Sequence, residues 1–290
     1  MSQAEKQRTP PRMLHMCRSQ DLTPHLRRIV LSGPALQGFP ANSAGEHIKL
    51  LLPQAHQRVP VLPSLGPDGP IWPAAHERPI SRTYTVAAFD ANAGPYGELA
   101  VDFVLHGENG PASRWALHAQ VGDAIGIAGP AAPPRFLPQA DYFLLIGDAS
   151  AFAMIAACLA ELPTNARGMV LLEVANSSHM CPMPHPPGIK LQWLMRHTTA
   201  PSNSRLLLAA VQSMPWPRGE VSVTLAGESH QVVALRKFLM QQRGLGKHAM
   251  YAVPYWKDEH SEEQYHAERH QIMDELLDQP ANGHAQEVSV

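Results

Sequence analysis

Few cysteines, few aromatic side chains and no long apolar run mark this sequence. Cys17, Cys158 and Cys181 are the only 3 thiols among 290 residues. They are odd in number and far apart, so they form no Cys-x2-Cys metal or iron–sulfur motif. Such a set suits a reducing compartment, and the cytoplasm is the expected location. The most apolar stretch, residues 142–162, is broken by Gly147-Asp148 and Ser150, which argues for a buried strand and helix instead of a membrane span. The first twelve residues are polar, so no secretory signal is expected. No Gly-x-Gly-x-x-Gly fingerprint, P-loop or Gly-x-Ser-x-Gly elbow occurs, which removes the motif support for a classical Rossmann site, a kinase or a serine hydrolase. An excess of one charge is also missing. The net charge of -2 gives no reason to expect a nucleic-acid or membrane-surface partner.

What is present describes a globular chain of two domains. Hydrophobic residues make up 44% and charged residues 17%, a balance that favours a packed core. The first half reads as strands and turns, with candidate strands at 25–31, 46–52, 82–89, 99–106 and 121–128. Leu99, Val101, Phe103 and Leu105 alternate with Ala100, Asp102, Val104 and His106, as in a strand with one buried face. Residues 53–79 are rich in proline and predict a long surface excursion. A helix is expected from Pro111 through His118, and a proline-rich linker over 129–138. The second half alternates strands (142–146, 168–174, 191–194, 221–225) with helices (to about 162, 205–214, 229–243), the pattern of a parallel sheet covered by helices. A charged amphipathic helix is expected over 258–278 and a frayed tail over 279–290.

Four segments carry residue types suited to a nucleotide. Arg82-Thr83-Tyr84-Thr85 joins a forked cationic donor for a pyrophosphate to a flat ring and to hydroxyls that suit a flavin edge. The same four residues also make an ordinary strand. Gly107, and Gly110-Pro111-Ala112-Ser113 opening the helix, offer backbone N–H groups at a helix start, which is a phosphate site or simply a helix with proline in its first turn. His106 is a flavin contact or a polar strand end. Gly147-Asp148-Ala149-Ser150-Ala151 and Ala226-Gly227-Glu228-Ser229 both follow a strand and open a helix, where α/β sheets bind nucleotides; each is otherwise a tight turn. His266 and His270 stand one helical turn apart without the companions of a catalytic zinc site, and no metal site is expected.

Taken in order, these pieces resemble the siderophore-interacting proteins, FAD-dependent ferric-siderophore reductases of the ferredoxin–NADP reductase superfamily. The resemblance rests on Gly45-Glu46-His47-Ile48-Lys49-Leu50, Ser81-Arg82-Thr83-Tyr84-Thr85-Val86, Asp102-Phe103-Val104-Leu105-His106-Gly107 and Gly110-Pro111-Ala112-Ser113-Arg114-Trp115-Ala116. It continues through Gly122-Asp123, Ala128-Gly129-Pro130, Gly147-Asp148, Ala226-Gly227-Glu228 and Tyr255-Trp256, spanning about residues 12–270. It implies a six-stranded antiparallel Greek-key β-barrel for FAD over 9–137 and a parallel-sheet α/β domain for NAD(P)H over 138–257. By that likeness Arg82, Thr83, Tyr84 and Thr85 bind the flavin, with His106 and Gly107 nearby and Gly110, Ala112 and Ser113 on the pyrophosphate. Lys49 matches one lysine of the basic group with which some members bind an acidic ferric siderophore, and Lys247 and Lys257 are further candidate cations for it. Asp148, Ser150 and Ala151, by their place after a strand, are candidates for the nicotinamide nucleotide.

The chain departs from the family pattern in places. Ala149-Ser150-Ala151 and Phe152-Ala153 replace a usual Glu-Thr-Ala and Leu/Ile-Pro, while Ala131 and Ala87 stand where arginines are frequent. The implied reaction is hydride transfer from NADPH or NADH to FAD, then single electrons to Fe(III). Two alternatives are a flavoprotein reductase served by ferredoxin or another redox partner, and a non-catalytic flavin-loaded siderophore binder.

Overall fold

The computed structural model describes residues 9–67, 69–130 and 139–278. The chain divides into two compact units, Met1–Pro133 and Pro134–Val290. Ala131 and the tail 279–290 lie outside the described residues, as does most of the expected linker.

The first unit is built from β1 (Arg12–Thr23), β2 (Leu26–Ser32), β3 (His47–Leu52), β4 (Ser64–Gly66), β5 (Gly69–Ile71), β6 (Ile80–Asp90), β7 (Glu98–Val104), α1 (Pro111–His118) and β8 (Ala124–Ala128). Six strands close into an antiparallel barrel in the order β1-β2-β7-β6-β3-β8. Closure leaves no ladder edge open. The alternation expected over 99–106 orients β7: Leu99, Val101 and Phe103 are fully buried. Across the β2–β7 ladder, Arg28 donates to both carboxylate oxygens of its direct partner Asp102, at 2.7 and 2.8 Å.

β1 was not anticipated. Its central residues, Arg18 to Asp21, are polar and exposed, so no alternating pattern announces a strand. The strand forms because it completes the barrel between β2 and β8. The proline-rich excursion does run over 53–79, and it carries the short β4–β5 hairpin.

The second unit contains β9 (Tyr142–Asp148), α2 (Phe152–Glu161), β10 (Gly168–Val174), β11 (Ile189–Met195), α3 (Leu206–Ser213), β12 (Val221–Glu228), α4 (Ser229–Arg243), β13 (Met250–Trp256) and α5 (Glu262–Asp278). Its five strands are parallel in the order β11-β10-β9-β12-β13. β9, β10 and β12 are almost wholly buried, as strands covered on both faces must be. β13 was also not anticipated. It contains Pro254 and stands at the sheet edge, where a missing N–H leaves no ladder bond unmade. The two units are the barrel and the α/β sheet that the resemblance implies.

The sheet grows outward from β9 in both directions, first to β10 and β11 and then back to β12 and β13. The order therefore reverses between β9 and β12. The crevice beyond the carboxyl ends of those two strands is the place where such sheets accept ligands.

Candidate functional site

In the barrel, register sorts the segment Arg82–Thr85 into two faces. Arg82 pairs with Leu50 and Tyr84 with Ile48 across the β3–β6 ladder. Directly opposed residues share a face, so Arg82 and Tyr84 lie on the side of these buried leucine and isoleucine side chains. Thr83 pairs with Lys49 and Thr85 with His47 on the other face, and the Lys49 ammonium donates to the Thr83 hydroxyl. Thr85 is buried, whereas Arg82, Thr83 and Tyr84 are half-buried.

Tyr84 heads an aromatic column. Its ring lies 4.8 Å from that of Phe103, which in turn lies 5.7 Å from Trp115 on α1. One face of the tyrosine is thereby fixed against β7 and the helix. β7 runs antiparallel to β6, with Val101 opposite Val86. The chain leaving Val104 toward His106 and Gly110 therefore runs back along the Arg82 end of β6.

That returning loop is tied down by Ser113. Its hydroxyl accepts from the His106 N–H at 3.0 Å and donates to the Gly107 carbonyl at 2.8 Å, and the residue is fully buried. Ser113, which the resemblance puts on the pyrophosphate, thus uses its hydroxyl to hold the loop in shape. The exposed His106 ring lies over Gly110, with Cε1 2.3 Å from where a Cβ would stand.

α1 begins without a side-chain cap at Gly110 and with Pro111 in its first turn, and Arg114 N–H donates to the Gly110 carbonyl at 2.8 Å. The amides of Ala112 and Ser113 precede that bond and present the positive end of the helix. A guanidinium, a ring backed on one face and an uncapped helix start are the donor set that a flavin dinucleotide requires. The residues present fit FAD.

The crevice of the α/β unit is different. Asp148 ends β9 with only 8% of its surface exposed. One carboxylate oxygen accepts from the Ser150 amide at 2.8 Å and the Ser150 hydroxyl at 2.6 Å. The other accepts from the Glu228 amide at 2.8 Å and the Trp256 indole N–H at 2.9 Å. One side chain therefore joins the carboxyl ends of β9, β12 and β13. Burial pushes its pKa above the usual carboxylate value, and these four bonds pull against that shift. Gly227 admits the arrangement. It sits at φ +144°, and a Cβ would lie 2.7 Å from Asp148 Oδ2.

Two more acids finish the edge. Glu228, also buried, caps α4 by accepting from the Gln231 amide at 3.1 Å. Glu173 near the end of β10 accepts from the Ser204 hydroxyl at 2.6 Å and the Gln231 side-chain amide at 3.0 Å. Burial raises the Glu173 pKa, and the nearby Asp148 adds to the rise. Asp148 therefore caps the short turn 149–151 that leads into α2, and Glu228 caps α4, while α2 itself starts at Phe152 without a side-chain cap.

Ser150 is half-buried and Ala151 fully buried; a Cβ on Gly147 would come within 2.6 Å of the Ala151 methyl. Lys257, expected to face an anionic substrate, donates to both oxygens of Glu268 on α5 at 2.7 Å, which holds that carboxyl below its usual pKa. Glu173, Ser204 and Gln231 were not anticipated, since they meet across 31 and 58 residues of sequence. The Asp148–Trp256 bond likewise spans 108 residues.

Comparison with known proteins follows the same division. Residues 15–134 match the siderophore-interacting FAD-binding domain, and residues 140–259 match the siderophore-interacting protein domain. Ferric vibriobactin reductase ViuB of Vibrio cholerae is 38% identical over 274 residues, covering 93% of this chain and 98% of that protein. The NADPH-dependent ferric-chelate reductase of Escherichia coli is 29% identical, covering 84% of this chain and 92% of the other. The crystal structure of the siderophore-interacting protein SipS from Aeromonas hydrophila superposes with a TM-score of 0.79 at 35% identity, over 91% of this chain and 98% of that one. With both units matched and ViuB similar over nearly its whole length, this chain belongs to the siderophore-interacting protein family.

Proposed function

We propose that this protein is a cytoplasmic FAD-dependent reductase that takes electrons from NADPH or NADH and delivers them to a ferric siderophore, releasing Fe(II). The observation that carries the proposal is the barrel's donor set: Arg82 and Tyr84 on one face of β6, and the uncapped start of α1. The names of the relatives in Vibrio cholerae and Escherichia coli, both ferric-chelate reductases, support the substrate class. No described helix is long and apolar enough to cross a membrane.

The division of labour follows from the residues. Bound FAD would accept two electrons at once and release them singly, which matches a hydride donor to a one-electron metal acceptor. Arg82 would neutralise the pyrophosphate charge, aided by the Ala112 and Ser113 amides, and Ser113 holds the 106–107 loop beside them. Tyr84 supplies a ring surface packed against Phe103, which Trp115 backs in turn. Oxidation of one NAD(P)H to NAD(P)+ and a proton releases two electrons, enough to reduce two Fe(III) to Fe(II). Fe(II) is held less firmly than Fe(III) by hard oxygen ligands, so reduction itself releases the metal. Lys49, on the opposite face of the ladder from Arg82, is the candidate cation for the chelate.

A second donor is favoured by one observation. Asp148 caps the turn ahead of α2 and Glu228 caps α4, and these carboxylates oppose a nucleotide phosphate at both places; a one-electron protein such as ferredoxin would not need that contact. Steady-state reduction of a ferric chelate with an Fe(II)-specific dye, under NADPH, NADH and reduced ferredoxin in turn, tests both. The proposal expects two Fe(II) per nicotinamide consumed. Turnover with ferredoxin alone assigns the donor to the second reading, and no Fe(II) under any donor rejects the reductase.

A further inference from the structure

Among the described residues, ten large apolar side chains stand exposed, and five of them fall within 59–72: Val59, Val61, Leu65, Ile71 and Trp72. Scattered exposed apolar residues need no explanation, but a cluster on one projecting element does. The element is the arm that joins β3 to β6 and carries the β4–β5 hairpin.

The arm is anchored, not loose. The Leu62 side chain enters a notch over Gly126 of β8, where a Cβ would lie 2.2 Å from the Leu62 methyl. The Gln54 side-chain amide donates to the Arg78 carbonyl at 2.7 Å and joins the two ends of the arm. In the hairpin, Leu65 pairs with Pro70, so the two share a face that Trp72, two residues on, continues. The guanidinium of Arg78 lies 4.4 Å over the Trp72 ring. Arg58 and Arg78 are both exposed. The result is an apolar, aromatic surface with cationic character.

Its place matters as much as its chemistry. The arm re-enters the barrel at Ile80, two residues before Arg82, and leaves it from Leu52, three residues after Lys49. At about 3.3 Å per residue, its base stands within roughly 7–13 Å along the ladder of Arg82 and Tyr84.

Resting on the reductase reading above, we infer that this arm is the outer wall of the substrate site and selects anionic ferric chelates bearing aryl groups. An aryl-capped chelate presents flat apolar rings to the Leu65–Pro70–Trp72 face and negative charge to Arg78. A chelate of equal charge without rings has only the cation to meet. A cation already stacked on tryptophan is well suited to such a ligand, because the guanidinium and the indole then recognise its charge and its ring together.

The test uses the full-length protein with iron(III) tris(2,3-dihydroxybenzoate) and iron(III) citrate. Equilibrium dialysis against the oxidised protein measures binding without requiring turnover. The inference expects Trp72→Ala and, separately, Leu65→Ser to weaken binding of the dihydroxybenzoate complex at least tenfold, to change citrate binding less than twofold, and to leave flavin content unchanged. In turnover the same variants raise KM for the aryl chelate and spare kcat. Equal loss for both chelates, no loss for either, or failure of the parent protein to bind the aryl complex overturns the inference. A parent that binds the aryl complex selectively but never reduces it rejects the reductase reading and leaves the arm's role standing.

Discussion

The two units answer the same problem, an anionic dinucleotide, in opposite ways. In the barrel, α1 starts without a side-chain cap, and the sequence spends Ser113 on the loop beside it. In the α/β unit, Asp148 caps the turn that leads into α2, Glu228 caps α4, and Glu173 adds a third buried carboxyl. A helix start left to its amides attracts phosphate; one already holding a carboxylate does not. Acids and glycines that look alike in sequence thus take different roles.

The comparison breaks most readily at Phe103. Phe103→Ala removes the middle ring of the column that backs Tyr84 and should cost about 3–5 kcal/mol of stability, read by chemical denaturation, together with loss of bound flavin. A variant that unfolds at the parental midpoint would show that the column is not a support. Next is Arg82→Ala. Charge-assisted hydrogen bonds contribute about 1.5–3 kcal/mol, so the dissociation constant for FAD should rise about 10- to 100-fold while the fold persists. Titration of flavin-free protein measures it.

Asp148→Asn addresses the other unit. The carboxamide cannot accept all four hydrogen bonds, and leaving buried donors unmatched costs about 1–3 kcal/mol. Flavin content should stay parental, because the barrel does not use this residue, and the fluorescence of Trp256 should change. The penalty is also pH-dependent, with a defined sign. Asp148 has a folded-state pKa raised above its ordinary value by burial. Between about pH 4 and that raised value the folded state holds more protons than the unfolded one, so this group makes stability fall as pH rises. The variant lacks that term, and its melting-temperature deficit should be largest near pH 4.5 and shrink toward neutrality. A deficit that grows with pH would contradict the assignment. The smallest expected effect is that of Glu268→Gln. It removes an exposed partner of Lys257, so stability should barely move, and any change should vanish at high salt.

How legible this was in the sequence depended on distance along the chain. Local patterns located β7 through its alternation and set both ends of α4, with Gly244 in the left-handed conformation at its C-terminus. The candidate flavin segment could be proposed because Arg82-Thr83-Tyr84-Thr85 and the α1 start are each short local pieces. What stayed hidden was assembled from afar. β1 is a strand only because β2 and β8 need a neighbour, and β13 only because an edge tolerates Pro254. Asp148 stood out as a nucleotide ligand from its place after a strand. Nothing local indicated that Trp256 and the Glu228 amide would occupy it. Lys257 looked like a cation available to substrate until α5 brought Glu268 against it.

The central claim is that the barrel, through Arg82, Tyr84 and the α1 start, holds FAD as a resident cofactor. The visible absorption spectrum of the purified full-length protein tests it most directly, recorded beside those of Arg82→Ala and Asp148→Asn. The account predicts a flavin spectrum with one FAD per chain in the parent, the same in Asp148→Asn, and a strongly depleted one in Arg82→Ala. A colourless parent that cannot be loaded with FAD, or flavin lost from Asp148→Asn and kept by Arg82→Ala, would contradict it.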